Sequence, residues 1–159
     1  MPVAGQSVSR STRARSPQCG VTLIELITVM VVIAILASIA IPSYRDYLLR
    51  AQRSDATRTL LRIQAAEEKF FAQNNRYTDD LANPSPVGLG IQALSENGFF
   101  TVAVLLSDAG AGYTATATPL AGGGQTDDTR CSSFSVDHNL HKSALGGAPL
   151  GDATRECWR

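Results

Sequence analysis

At 159 residues, 44% of them apolar, the chain has room for one modest domain with a single hydrophobic core. Fourteen basic residues balance fourteen acidic ones, which excludes a strongly basic nucleic-acid binder, a charge-rich disordered chain and a collagen-like fibre as the broad class. These totals conceal an uneven layout along the chain.

Arg10, Arg13 and Arg15 stand in a Ser-rich opening segment, and the stretch from Val21 to Tyr44 then carries no charge except Glu25. A secretory signal would place a small-residue cleavage site after its apolar core. Here the small-residue junction, Cys19-Gly20, precedes the apolar run, so a cut there leaves the hydrophobic segment on the mature protein. The uncharged run from Leu26 to Tyr44 is close to the roughly 20 residues that cross a hydrocarbon core of about 30 Å. The arginines hold the leader on the cytoplasmic side and place the rest of the chain across the membrane as a single-pass protein.

Three cysteines leave one unpaired. Removing residues 1–20 takes Cys19 away and leaves Cys131 and Cys157 as a pair in a compartment that permits disulfides. A lipid anchor on Cys19 is the alternative, but Ser16-Pro17-Gln18 lacks the small and apolar residues such a site requires. The bridge would close a loop of about 25 residues, worth roughly 3–4 kcal/mol by chain entropy. Two unpaired structural thiols are the alternative reading.

Pro42 removes a helical hydrogen bond and predicts a kink or weak point. Neighbouring helices and a hydroxyl such as Ser38 can take up the freed carbonyl in a membrane or a packed bundle. From Arg45 to about Asn74 no Pro or Gly interrupts a helical pattern. Leu49, Ala56, Leu60, Ile63 and Phe70 recur at steps of three, four or their sum, with Leu61 and Phe71 widening the stripe. Arg45, Arg50, Arg53, Arg58 and Arg62 fall mostly off that stripe and read as a solvated face or a subunit-packing surface.

Pro84, Pro86, Gly88 and Gly90 mark the stretch 76–98 as a surface loop. Three strands follow. Phe99 to Leu106 is aromatic and β-branched, Tyr113 to Thr118 alternates Thr with Ala, and Ser132 to Val136 closes the set. Gly110-Ala111-Gly112 predicts a hairpin between the first two, and Gly122-Gly123-Gly124 a loop before the third. Beyond Asp137 the chain is turn-rich and held mainly by Cys157.

Gly20-Val21-Thr22-Leu23-Ile24-Glu25-Leu26, followed by an apolar helix containing Pro42, resembles the processing motif of type IV prepilins and pseudopilins. The departure is Val21, where the family usually has Phe. The resemblance implies that a prepilin peptidase cuts after Gly20 and methylates the new amine of Val21, with S-adenosylmethionine as donor. It implies an α+β pilin-like fold, in which a long helix, hydrophobic and then amphipathic, packs on a small antiparallel sheet with a disulfide-closed C-terminal loop. The helix would first sit in the lipid bilayer of the inner membrane, meet an assembly platform there, and then join other pilin subunits in a surface filament. On that reading the parts are a leader (1–20), a membrane and filament-core helix (21–44), its amphipathic continuation (45–75), a connecting loop (76–98) and the sheet with its disulfide-bounded end (99–159).

The globular part, through Tyr113 to Pro119, Gln125, Asp128, Cys131 and Cys157-Trp158, looks like a group of small minor pilins. In that group an Asp-x-x-Gly turn follows the third strand. Here Asp137-His138-Asn139-Leu140 places Leu at the glycine position.

A carboxylate in a membrane helix costs about 2.5–3.5 kcal/mol at the helix centre, and a helix N-terminus returns only roughly 0.3–1 kcal/mol. The amine created at Val21, on the same chain or a neighbour, is the expected partner of Glu25. Enzyme chemistry is thin. His138 and His141 with Asp137 lack a further ligand pair, the Gly122–Gly124 run has no following Lys-Ser or Lys-Thr, and Asp127 with Asp128 falls far short of a calcium shell. No catalytic residue, cofactor or metal is therefore assigned. From Tyr77 onward nine acids stand against four bases, a net charge of about −5 that argues against nucleic acid as a partner. The subunit is expected in a type IV pilus, with a type II secretion pseudopilin in a periplasmic pseudopilus as the alternative and a membrane-anchored periplasmic enzyme or binding protein as a third.

Overall fold

The computed structural model describes residues 20–147, 149 and 151–158; the arginines of the opening segment and Cys19 lie outside them. The chain divides into two units, Met1–Ala40 and Ile41–Arg159. Helix α1, Leu23–Asn74, supplies the described helical part of the first unit and the whole inner helix of the second. It begins just after Thr22. It ends where Asn75 adopts a left-handed φ of 53° and donates its N–H to Phe71 O at 2.8 Å, a conformation that Asn tolerates better than most residues.

The second unit is one antiparallel sheet against α1. Strands β1 (Phe100–Ser107), β2 (Gly112–Pro119), β3 (Ser133–Asp137), β4 (Lys142–Gly146) and β5 (Gly151–Asp152) lie in sequence order. Their register runs from Leu106 opposite Tyr113, through Ala115 opposite Val136, to Phe134 opposite Ala144. A short helix, α2 (Thr154–Cys157), follows β5. The core between sheet and helix contains Ala56, Leu60, Ile63, Phe100, Val102, Tyr113, Ala115, Phe134 and Val136. Phe100 meets Phe134 edge to face, with ring centroids 5.7 Å apart. Burying each large side chain contributes roughly 1.5–3 kcal/mol.

Several expectations need correction. Leu61 is 44% exposed and does not widen the stripe, because it lies one residue past the buried seam. Residues 76–98 form a loop, as the Pro and Gly content predicts, but not one confined to the surface. Tyr77, Leu81 and Ile91 are buried from it, held by Leu89 N–H to Asp80 O at 2.9 Å and Ile91 N–H to Leu81 O. The segment after Asp137 contains β4 and β5 as well as turns. Apart from these corrections, Pro42 lies inside α1, and the Ser38 hydroxyl donates to Ile35 O at 2.7 Å.

The turn after β3 keeps its shape without glycine. Leu140 takes a φ of 65°, its N–H reaches Asp137 O at 3.0 Å, and Asp137 Oδ1 accepts from the N–H groups of Asn139 and His141 at 2.9 and 2.8 Å. An L-residue in the left-handed region costs about 1–2 kcal/mol, partly offset by the entropy that glycine would lose. Leu140→Gly is therefore expected to raise stability by about 0.5–1 kcal/mol, read as a higher urea midpoint at unchanged slope.

Candidate processing and assembly site

The expected cut junction is exposed. Gly20 and Val21 precede the helix, and Val21 is 73% exposed. Thr22 caps the helix: its Oγ1 accepts from Glu25 N–H at 3.3 Å, and Leu26 N–H reaches Thr22 O at 3.2 Å. Thr22-Leu23-Ile24-Glu25 is a Thr-x-x-Glu capping sequence, a signal that a reading focused on the glycine and the acid passes over. It places Glu25 in the first helical turn, four residues from the end that cleavage would create. The apolar side chains that follow are bare. Leu23, Ile24, Leu26, Met30, Leu36, Ile39 and Ile41 are all exposed, and none of the most apolar window of α1 is buried within the chain. By length and composition this helix is able to cross a membrane.

Along the second part of α1, three buried polar residues tether three different connections of the head. Arg53 forks onto Asp128 with Nε to Oδ2 at 2.7 Å and Nη2 to Oδ1 at 2.9 Å. Asp128 also accepts from Gln125 Nε2 at 2.9 Å and from the N–H groups of Arg130 and Cys131, both at 3.2 Å. One carboxylate thus joins the helix to the backbone of the disulfide. Asp55 Oδ1 accepts from the Asn97 side chain at 3.0 Å and its N–H at 3.3 Å, fixing the entry to β1. Glu67 Oε2 accepts from Thr78 N–H at 3.2 Å, fixing the exit from α1. Arg53, expected off the apolar stripe, lies on it and is buried.

Cys131 and Cys157 are joined, with an S–S distance of 2.03 Å. The bridge is packed as well as closed. Trp158 Nε1–H reaches Ser143 O at 2.7 Å, and its ring lies edge-on to Phe134 at 6.2 Å. Beside it a groove of about 240 Å³ is lined by Arg50, Arg53, Ser54, Thr57, Arg130 and Glu156.

His138 is half-buried against Tyr77, with ring centroids 6.3 Å apart, while His141 is exposed. No three metal-ligating side chains come together among the described residues. Asp128 is already taken by five donors and Asp127 stays exposed.

Glu67 is fully buried, its Oε1 takes no hydrogen bond among the described residues, and burial pushes its pKa from 4.5 up to about 7. The Thr78 N–H pulls the other way, and the neighbouring Glu68 and Asp79 carboxylates raise it further. Burial likewise pushes the Tyr113 hydroxyl up, with the Glu68 and Glu67 charges adding to it. For an acid whose folded value lies above its unfolded one, stability is greatest below pH 4.5 and declines as pH rises toward 7. At about 1.4 kcal/mol per unit the charged form is disfavoured by roughly 3 kcal/mol. Glu67→Gln keeps an acceptor for Thr78. It is expected to leave stability at pH 5 little changed and to raise it at pH 8 by about 1–3 kcal/mol, measured by urea unfolding at both pH values.

Comparison with known proteins places this arrangement. A family model described as type IV minor pilin ComP, DNA uptake sequence receptor, matches residues 42–135, more than half of the chain. The prokaryotic N-terminal methylation motif matches residues 15–41. The chain belongs to the type IV minor pilin family. This minor pilin is 37% identical over 101 residues to the fimbrial protein EcpC of Eikenella corrodens, an alignment covering 64% of this chain and 62% of that one. It is 39% identical over 70 residues to the type IV major pilin PilA of Myxococcus xanthus, 44% of this chain and 32% of that protein. With the type IV major pilin PilE of Neisseria gonorrhoeae it shares 54% identity over 63 residues, 40% and 38% of the two chains. The minor pilin therefore spans less than two thirds of the length of these curated relatives. A solved type IV pilin from Shewanella oneidensis superposes with a TM-score of 0.43 at 21% identity, covering 59% of this chain and 89% of that one.

Proposed function

We propose that this minor pilin is a structural subunit of a type IV pilus, held in the inner membrane as a single-pass protein and then transferred into a surface filament. The observation that carries this reading is the bare apolar start of α1, headed by the Gly20-Val21 junction and one acid, on a head matched by the minor pilin family. A prepilin peptidase removes residues 1–20 and methylates Val21, taking the methyl group from S-adenosylmethionine. The chemistry belongs to that peptidase, and the pilin itself is not an enzyme. Glu25 then pairs with the amine at position 21, which offsets the cost of the acid in the apolar phase. The assembly platform and neighbouring pilins receive the bared helix, so Glu25 and Pro42 belong to the packing interface.

In cells lacking the prepilin peptidase the chain is expected to retain residues 1–20 and to stay in the membrane fraction. In its presence the chain begins at Val21. Retention of the leader in both strains would return the chain to the membrane-anchored enzyme or binding-protein reading. The pseudopilin alternative shares this processing and is separated by location, in a periplasmic pseudopilus rather than on the surface.

A second reading is DNA capture, the property that the matched family description names. The net acidity of residues from Tyr77 onward opposes it, but that count omits the arginines of α1. Over 41–159 the imbalance shrinks to thirteen acids against eleven bases. Arg45, Arg50, Arg58 and Arg62 are exposed on α1, and Arg130 lies across the groove with 60% of its side chain in solvent. Duplex binding by these residues would weaken steeply as salt rises. Fluorescence anisotropy with a labelled duplex at two salt concentrations decides between the readings: salt-sensitive binding lost on Arg58→Ala with Arg62→Ala supports capture, and no binding at low salt removes it.

A further inference from the structure

Strand β1 is an edge of the sheet, and its outward side is only partly covered. Phe100 O accepts from Ser95 N–H at 2.8 Å, and Val102 N–H donates to Ala93 O at 3.0 Å. Backbone groups of the even-numbered residues therefore point away from β2, because successive residues alternate between the two sides of a strand. Past Val102 the loop departs. Among the described residues none hydrogen-bonds to the outward N–H and C=O groups of Val104 and Leu106. The open window is 103–107, five residues centred on Leu105. It lacks the devices that ordinarily blunt an edge: from Phe99 to Ser107 there is no charge, Pro or Gly. Leu105 is 76% exposed, and Ala103 and Ser107 beside it are exposed too.

We propose that the β1 edge is a homotypic docking strand, in which residues 103–107 pair antiparallel with the same residues of a second copy of this chain about a two-fold axis at Leu105. The window is self-complementary. With Leu105 on the axis, Val104 lies opposite Leu106 of the second copy and Leu106 opposite its Val104. These two pairs satisfy the two outward N–H and two outward C=O groups of each window, through four hydrogen bonds in all. The exposed Leu105 side chains meet on the outer sheet face in a close pair, with Cβ atoms about 4.5–5.5 Å apart. An uncharged edge gives a charged peptide nothing to select, whereas this symmetry matches the edge to itself. The departing loop at Ala93 and Leu94 limits pairing to this register, since a longer overlap would run into it. Five residues bury well under the about 1,200 Å² of a standard interface. The pairing is therefore weak for free copies and effective where subunits are held at high local concentration, as in a membrane plane or between adjacent filaments. The inference rests on the sheet alone and holds whether or not the chain is a pilus subunit.

The test is disulfide formation between single cysteines introduced into the full chain carrying Cys19→Ser, in detergent micelles under mild oxidation. Leu105→Cys should form a covalent dimer at least tenfold faster than Ala103→Cys or Ser107→Cys alone, whose own copies lie about 13 Å apart along the strand in this register. A mixture of the Ala103→Cys and Ser107→Cys chains should cross-link with each other. Adding Val104→Pro, which removes an outward N–H that the fold does not use, should slow the Leu105→Cys reaction at least tenfold, whereas Val104→Ala, which loses the same packing against the core but keeps the N–H, should not. Equal rates for all three single cysteines, or a Leu105→Cys chain that stays monomeric, would overturn the proposal. Cross-linking equally fast in Val104→Pro and Val104→Ala would also overturn it, by showing contact without strand pairing.

Discussion

Asp128→Ala is expected to be among the most damaging single changes in the head, lowering stability by about 3–5 kcal/mol. The Arg53 and Asp128 side chains are 9% and 2% exposed, so removing the carboxylate strands a guanidinium away from water. It also releases the N–H groups of Arg130 and Cys131 and the amide of Gln125. Arg53→Met should cost less, about 1–3 kcal/mol, because Asp128 keeps three donors and the methionine fills the arginine's stem. The order of the two separates a hub from a simple ion pair, whose two halves would lose comparably. Trp158 is the single tryptophan and packs beside the disulfide, so its fluorescence in urea reads both variants. The exposed pair Arg58–Glu96, 4.0 Å apart with both side chains more than 60% in solvent, serves as the control, since such pairs contribute about 0–1 kcal/mol.

Glu25→Ala should act on assembly and leave the head untouched. The variant loses no packing within the chain, since Glu25 is exposed, and Thr22 still caps the helix through the N–H at position 25. Cleavage after Gly20 and membrane insertion should proceed, with insertion eased by less than the roughly 2.5–3.5 kcal/mol that an acid costs at a membrane-helix centre, because Glu25 lies in the first turn. Filament entry should fall at least tenfold, because docking would leave the amine at Val21 without its counter-charge. Glu25→Gln separates charge from hydrogen bonding: it should remain closer to the alanine variant than to the parent. Quantitative immunoblots of membrane and sheared-filament fractions measure both steps. Normal incorporation of Glu25→Ala would remove the pairing from the account.

The residues that made the fold legible share a trait: they carry strong, local patterns. The apolar run with one acid, the Thr-Ala alternation of β2 and the aromatic β1 each state their structure within a few residues. Arg53 and Glu67 were legible in a less direct way. The apolar stripe steps from Leu49 to Ala56 and from Ile63 to Phe70 in jumps of seven, and Arg53 and Glu67 occupy the missing positions. A stripe with polar residues in phase signals buried tethers, but their partners, Asp128 and Thr78, are fixed only when the chain folds back. Strand β4 was hidden for another reason. Lys142-Ser143-Ala144-Leu145-Gly146 has no β-branched or aromatic residue, and its place is set by smallness. Ala144 is buried, and a Cβ at Gly146 would overlap the Arg130 carbonyl. Leu140 shows a turn type preserved by Asp137 against the preference of the residue it contains.

Net charge along a segment says little about the charge of a surface that several segments build. A count of acids from Tyr77 onward divides the head where the fold does not, since Arg50 and Arg53 of α1 line one groove with Arg130 and Glu156.

The central claim is that the segment 21–44 is an assembly element, freed by cleavage and buried among subunits. Mass spectrometry of filaments sheared from the cell surface tests it most directly. The account predicts a chain that begins at Val21, carries a methyl group on its amine and contains the Cys131–Cys157 bridge. Its absence from sheared filaments, with the processed chain confined to the membrane fraction, would contradict the pilus assignment, and a filament-borne chain still carrying residues 1–20 would contradict the mechanism.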